Sequence, residues 1–240
     1  MGKKQEKGSV MLFDEEINYT IERKKVKNIN FRFASDKEVK ISAPYYVEKE
    51  FIIAALIKNK QAVYKGLCSF KNKKHFSLDN LKYVNGEEIY FLGSKVKICF
   101  DYNIEKTYIS KDVLFIKELE DSDVQKKKKA LLTYLERFTE SFLSELSEEI
   151  YYRFFKDRVP KPQIKFKRLK SRWGSCCKAK NLITFNKDLI FLPPEFSKYV
   201  VVHEFCHLIV FDHSKAFYNE VGKIMPDYKK TRDIGKEYTR

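Results

Sequence analysis

Alternating apolar and polar positions predict a β-rich first half of the chain. This period-two pattern is typical of half-buried strands, and it recurs at residues 17–21, 29–33, 39–41, 107–110 and 113–117. Apolar positions at helical spacing predict a helix over residues 47–64, after Pro44. Residues 88–100 alternate on either side of Gly93-Ser94 and predict a hairpin.

The pattern changes near Asp121-Ser122-Asp123, where helical spacing replaces alternation. Residues 124–155 contain no Gly or Pro, and they predict one long amphipathic helix with Asp121 or Ser122 as its cap. We therefore place a domain boundary here, between a β-rich part, residues 1–121, and a second part, residues 122–240. Strands followed by helices predict an α+β fold.

Shorter elements follow this helix. Pro160 and Pro162 break it, and alternation predicts strands from Ile164 toward Leu169 and over residues 182–186, with a turn at 173–175 between them. The Pro193-Pro194 pair predicts the start of a helix that runs to about Ile209. A further helix is expected from Ser214 to Met225-Pro226, and a short charged tail closes the chain.

Three of the four histidines fall within eleven residues, on and just after the helix that follows Pro194. His203 and His207 are four residues apart, so both imidazoles lie on one helix face and can reach one cation. Glu204 projects beside them. This HExxH pattern is typical of a zinc-hydrolase helix that supplies two ligands and a general base. The alternative, an amphipathic helix with ordinary histidines, does not explain polar residues inside an apolar run.

His213 is the predicted third ligand, because it follows His203 by ten positions, a spacing known from zincins with three His ligands. Asp212 and Glu220 are its competitors. Three protein ligands leave one position open for water, whose proton Glu204 would accept. A structural zinc site without turnover would need a fourth protein ligand, and none is evident nearby. Imidazole ligands also accept other divalent ions.

The chain resembles the YgjP-like metallopeptidases at these residues and at several motifs around them. The similarity is dense in the C-terminal part, whereas the first half matches only in its run of strands. The matching segments are 170–176 (KSRWGSC), Asn186 before Leu189, 192–194 (LPP), 199–204 (YVVVHE), 207–208 (HL), 213–217 (HSKAF) and 226–228 (PDY). More distantly, the motif resembles that of SprT-type and Wss1-type zincins, some of which act on DNA-bound proteins.

The resemblance implies a zincin-like C-terminal part, a zinc ion and hydrolysis of peptide bonds. By residue matching it implies His203, His207 and His213 as metal ligands and Glu204 as the base. One departure concerns the metzincin pattern, which has Gly where this chain has Val210. If the backbone must turn left-handed in this loop, Asp212 is the residue that tolerates it best.

Three further residues are candidates for substrate contact. Trp173 shapes access to the cleft or packs, Asn186 holds a loop or contacts substrate, and Tyr199 donates to the developing oxyanion or packs. Zincin substrates commonly pair with a strand at the cleft edge, and residues 182–186 are the candidate for that strand.

The net charge of +15 adds an alternative function. Residues 158–187 contain ten Lys or Arg and no acidic residue, and such a block can dock on DNA or RNA. The simpler interpretation is a solvated basic surface that binds no specific partner. Both functions would coexist in a protease of nucleic-acid-bound proteins.

Composition bounds the remaining possibilities. A chain of 240 residues with 43% hydrophobic positions can bury a substantial core, and no apolar stretch is long enough to cross a bilayer. The first seven residues lack an apolar signal core, and the five cysteines form no CxxC pair. We therefore expect a cytoplasmic enzyme with reduced thiols, a peptide or protein substrate and no membrane partner.

Overall fold

The computed structural model describes residues 5–71, 74–75, 78, 81–119 and 122–239. The chain divides into two compact units, Met1–Lys74 with Thr239, and His75–Tyr238 with Arg240. The architecture is α+β, as predicted, with strands dominating the first half and helices the second. None of the helices in the described ranges combines the length and the apolarity that a membrane crossing requires.

The first unit is a four-stranded sheet with two helices. Its elements are β1 (Gln5–Leu12), β2 (Glu15–Arg23), β3 (Asn30–Ser35), β4 (Glu38–Ala43), α1 (Lys49–Lys58) and α2 (Lys60–Lys71). The strand order is β1-β2-β4-β3, and only the β2–β4 pair is parallel. The two-residue period of β2 and β4 buries Ile17, Ile21, Val39 and Ile41 against apolar residues of both helices.

The single helix predicted over residues 47–64 is two helices. The break lies at Asn59, the C-cap of α1, whose backbone N–H and side-chain Nδ2 both donate to the carbonyl of Ala55. An amide side chain that bonds the helix backbone competes with continued helix, which explains the interruption.

The remaining elements lie in the second unit, apart from Lys74 and Thr239, which belong to the first. After β5 (Lys74–His75) these are β6 (Glu88–Phe91), β7 (Ser94–Asp101), β8 (Tyr108–Ser110), β9 (Val113–Lys117), α3 (Val124–Ile150), β10 (Gln163–Lys167), β11 (Gly174–Cys177), β12 (Leu182–Asn186), α4 (Pro194–Cys206), α5 (Lys215–Ile224), α6 (Tyr228–Ile234) and β13 (Tyr238–Thr239). One sheet has the order β6-β7-β9-β8 and another has the order β10-β12-β11.

The predicted boundary at residues 121–122 falls inside this second unit, and Asp121 itself lies outside the described residues. The change from strands to helix is not a domain boundary in packing terms, because the β6–β9 sheet and α3 share one core. Phe91 of β6 and Phe138 of α3, for example, have ring centroids 5.0 Å apart. The N-cap of α3 is Asp123, whose Oδ1 accepts from the N–H of Lys126 at 2.8 Å, so the prediction of Ser122 is wrong.

One local prediction in the second unit also needs correction. Residues 174–175 are not a turn, because Gly174 begins β11 and pairs with Phe185 of β12. The charged tail contains a helix that was not predicted, α6. Its seven residues lacked the apolar spacing from which a helix could be predicted.

Candidate metal centre

Helix α4 places the first two histidines. Pro193 is its N-cap and Pro194 its first residue, as predicted, but the helix ends at Cys206, with His207 as its C-cap. Val201, Val202 and Phe205 are almost completely buried, so this last turn is fixed in the core. His203, Glu204 and His207 therefore extend from a rigid helix end rather than from a loop.

The three imidazoles converge through their Nε2 atoms. The Nε2 of His203 lies 3.1 Å from the Nε2 of His207 and 3.1 Å from the Nε2 of His213. An imidazole nitrogen carries either one in-plane hydrogen or one lone pair, so the Nε2 of His203 cannot hydrogen-bond to both neighbours. Three ring nitrogens meeting at one point instead match the donor set of a divalent transition metal. Among the described residues, the group contains these three histidines and no Cys, Asp or Glu.

Hydrogen bonds on the far sides of the rings orient two of these donors. The Nδ1 of His207 donates to the carbonyl of Val210 at 3.3 Å, which leaves the lone pair on Nε2. The Nδ1 of His203 lies 3.4 Å from the hydroxyl of Tyr199. If His203 also carries its proton on Nδ1, that N–H donates to the hydroxyl oxygen. Burial lowers the pKa of His203 to about 3, with His207 and His213 adding to the effect, so this ring is neutral, the form that binds metal.

The loop between His207 and His213 brings the third ring into place. None of the described residues 207–214 has a positive φ, so Val210 needs no glycine-like conformation. The Oδ1 of Asp212 accepts from the N–H of Ser214 at 3.3 Å, which makes Asp212 a turn residue. Glu220 pairs with Arg158 and Lys223 instead, at 2.6 Å in each case. Of the three candidates for the third ligand, only His213 faces the other two histidines.

Phe217 of α5 forms the floor beneath the three rings. Its ring centroid lies 4.4 Å from that of His207, 4.8 Å from that of His203 and 5.0 Å from that of His213. Its side chain is fully buried. Sequence reasoning missed this role, because an apolar residue two positions into α5 looks like any other core residue.

Glu204 is buried against the backbone of β11. A Cβ atom at Gly174 would lie 2.7 Å from Oε1 of Glu204, so only glycine leaves room for this carboxylate. Burial raises the pKa of Glu204 to about 7, and the positive charge of Arg172 opposes that shift. Gly174 was part of the matched motif, but its contact with α4 depends on the tertiary fold.

A cavity of about 370 Å³ opens beside His203 and Glu204. Trp173 and Tyr199 line it, and their contact with substrate stays a prediction. The indole of Trp173 stands edge-on to Phe196, with ring centroids 5.8 Å apart. The site therefore combines converging nitrogen donors, one carboxylate and an accessible cavity with aromatic walls.

Comparison with protein families gives a match that covers most of the chain. The model of the YgjP-like, metallopeptidase domain matches residues 27–237, which include every element of the site. The chain belongs to the YgjP-like metallopeptidase family. At the family level it is therefore a peptidase that depends on a metal ion, and the converging histidines fit that requirement.

Other comparisons are more distant. Among solved structures, the metallopeptidase zymogen abylysin of Pyrococcus abyssi matches with a TM-score of 0.32 and 23% identity, over 40% of this chain and 89% of that one. No curated protein matches the chain.

Asn186 of this YgjP-like chain holds a loop and does not line the cavity. Its side-chain Nδ2 donates to the carbonyls of Leu169 and Arg172, at 2.8 and 2.9 Å, and its Oδ1 accepts from the N–H of Asp188. The side chain is buried. Of its two predicted roles, the structure supports the anchoring of the loop that carries Trp173.

The candidate cleft-edge strand is also reassigned. Residues 182–186 form β12, which pairs with β10 on one side and β11 on the other, so neither edge is free for substrate. In this sheet β11 is an edge strand, and its Gly174 contacts Glu204. Alternation predicted the strand but not its neighbours, because pairing order is a long-range property.

Tyr199 orients the imidazole ring of His203 in this arrangement. Its hydroxyl faces the Nδ1 of His203, on the opposite side of the ring from the converging Nε2 atoms. Burial raises its pKa to about 12, and Arg232 opposes that shift. Its two predicted roles were donation to an oxyanion and packing. Because the hydroxyl points away from the converging Nε2 atoms, the structure disfavours donation to an oxyanion there.

The basic segment, residues 158–187, is partly neutralised within the second unit. Four of its ten cations form ion pairs with acidic residues outside the segment: Arg158 with Glu220, Lys161 with Glu148, Arg168 with Glu136, and Lys187 with Glu136 and Glu140. A run without acids along the chain is therefore not a uniformly basic surface in the fold.

Replacing Phe217 with Leu should weaken metal binding by about ten-fold, because loss of the aromatic floor loosens all three rings. The measurement is competition for zinc against a chromophoric chelator. Phe155→Leu is the matched control, since Phe155 is equally buried and its ring centroid lies 5.3 Å from that of Phe205 in α4. Equal zinc affinity in the two variants would show that Phe217 is only a core residue.

Proposed function

We propose that this chain is a zinc-dependent metallopeptidase with a zincin-like C-terminal part, in which His203, His207 and His213 hold the ion. The observation that carries the proposal is the convergence of three Nε2 atoms beside a buried carboxylate. Zinc suits a nitrogen-only, three-ligand site with an open fourth position. When bound, it lowers the pKa of a water molecule and polarises the substrate carbonyl. All proposed ligands and the base lie within residues 122–240.

Glu204 is the proposed general base. Its carboxylate lines the cavity beside His203 and is held in place by the glycine backbone of β11. It takes a proton from the attacking water and then passes that proton to the leaving amine, so that the carboxylate is regenerated in each cycle. His203 and His207 keep their Nδ1 protons throughout, because those protons are engaged by Tyr199 and Val210.

Strand β11 is the proposed partner of the substrate backbone. It is an edge strand that contacts α4 at Glu204, so a peptide paired with it in extended form would present its carbonyl groups to the three histidines. The cavity lined by Trp173 and Tyr199 would then receive a substrate side chain close to the cleaved bond.

Nucleic-acid docking receives no comparable support. Within the described part of the chain, the basic segment contributes four cations to internal ion pairs, and the family match concerns peptidases. We therefore propose peptidase activity alone.

Replacing Glu204 with Gln should lower peptidase activity by about 10²- to 10⁴-fold, because the amide cannot accept the water proton. Cleavage of a pooled fluorogenic peptide library measures the activity, and mass spectrometry measures the zinc content, which should not change. Glu195→Gln is the control, since Glu195 is an exposed carboxylate on the first turn of the same helix. Full activity of the Glu204→Gln variant with zinc bound would rule out this base.

Replacing Gly174 with Ala should lower activity by about 10²-fold without loss of zinc. The added methyl group lies 2.7 Å from the carboxylate of Glu204 and must displace it, and a shift of about 1 Å in a catalytic group can cost that much. Gly222→Ala is the control, because its added Cβ comes no closer than 3.7 Å to Tyr228. Wild-type activity in Gly174→Ala would contradict the assigned position of the carboxylate.

A further inference from the structure

The cavity beside Glu204 has an unusual charge pattern. Besides Glu204, the charged residues that line it are all cations: Arg172, Arg232 and Lys236. Among the described residues that line this space, Glu204 is the only carboxylate. Its proposed role is proton transfer. The remaining side-chain walls include Trp173, Phe196 and Tyr199, which are aromatic.

These cations come from two separate segments of the second unit. Arg172 precedes β11, whereas Arg232 lies on α6 and Lys236 just after it. Arg172 acts electrostatically on Glu204, and Arg232 acts on Tyr199. Both guanidinium groups are therefore close to the residues that surround the proposed reaction site.

Internal ion pairs only partly neutralise this set. Asp233 forms ion pairs with both Arg232, at 3.3 Å, and Lys236, at 2.7 Å, and it does not line the cavity. In the described part of the chain, Arg172 forms no ion pair. Three positive charges are thus balanced by two carboxylates, those of Asp233 and Glu204, even before a metal ion is counted.

We propose that this cavity binds a carboxylate of the substrate next to the cleaved bond, so that the enzyme selects peptides carrying an acidic side chain or a terminal carboxylate there. The inference rests on the peptidase function proposed above and specifies its substrate class. A guanidinium group binds a carboxylate through two parallel hydrogen bonds, and aromatic walls strengthen the charge attraction by excluding water. The same three cations would repel a Lys or Arg side chain.

The cavity suits this role in its size and in the accessibility of its cations. Its volume of about 370 Å³ lies within the range of small-ligand pockets. The side chains of Arg232 and Lys236 are 41% and 70% exposed, so their charged ends can reach an incoming carboxylate. The net charge of +15 on the chain would also draw acidic peptides toward it.

Trp173 supplies a direct reporter of binding, because it is the only tryptophan and it lines the cavity. The experiment uses zinc-loaded Glu204→Gln protein and acetylated, amidated peptide pools with a fixed central Glu, Gln or Lys. A fourth pool carries Gln and a free C-terminal carboxylate. Trp173 fluorescence reports the affinity for each pool, and the active enzyme reports kcat/KM for the same pools.

We expect the Glu pool or the free-carboxylate pool to bind and react at least ten-fold better than the amidated Gln pool, and the Lys pool to be worst. Preference for the Glu pool indicates that the cavity binds an acidic side chain. Preference for the free-carboxylate pool indicates that it binds a terminal carboxylate. In Arg172→Gln/Arg232→Gln the preference ratio should fall by about 10- to 100-fold. In Lys165→Gln/Lys167→Gln, whose lysines lie on β10 outside the cavity, the ratio should not change.

The outcomes separate this inference from the peptidase proposal. Cleavage of all pools at equal rates overturns carboxylate selection and leaves the peptidase function intact. Selective binding of carboxylate pools without cleavage by the active enzyme supports the cavity and overturns the peptidase function. Absence of both binding and cleavage, or a preference that the two arginine substitutions do not alter, overturns the inference.

Discussion

The site depends on one constraint: a helix that is buried on nearly every side ends in polar groups. Nine of the thirteen residues of α4 are buried, and Glu204 is among them. Buried polar atoms are costly unless they have partners. The outward nitrogens of His203 and His207 have such partners, in Tyr199 and Val210, whereas their inward nitrogens meet one another and that of His213. A divalent ion is a partner that fits three converging imidazole nitrogens.

The elements around α4 serve this helix end in distinct ways. Strand β11 approaches so closely that Gly174 touches Glu204, and α5 places Phe217 under all three rings. The loop anchored by Asn186 carries Trp173 to the cavity, and α6 adds Arg232 to its lining. The candidate ligands His203 and His207 and the proposed base Glu204 therefore lie on α4 or at its end, and the elements around this helix supply the third candidate ligand, the packing and the cavity walls.

Local patterns in the sequence predicted the parts of this arrangement that depend on local chemistry. Alternation located most strands, such as β2, β9 and β12, although it missed β1 and β11. The spacing of His203, His207 and His213 marked the residues whose Nε2 atoms converge. Properties that join distant segments could not be read in this way. Examples are the pairing of β12 on both edges and the core that the β6–β9 sheet shares with α3. Helix α6 escaped prediction because it is short and charged.

X-ray absorption spectroscopy at the zinc edge, on protein purified without chelator, would show whether three histidines bind the ion. We expect about one zinc per chain, bound by three imidazole nitrogens and one oxygen at about 2.0–2.1 Å. A sulfur ligand at about 2.3 Å would contradict it, because a thiolate in the fourth position would close the site and make it structural. A protein that is folded and carries no metal would contradict it as well.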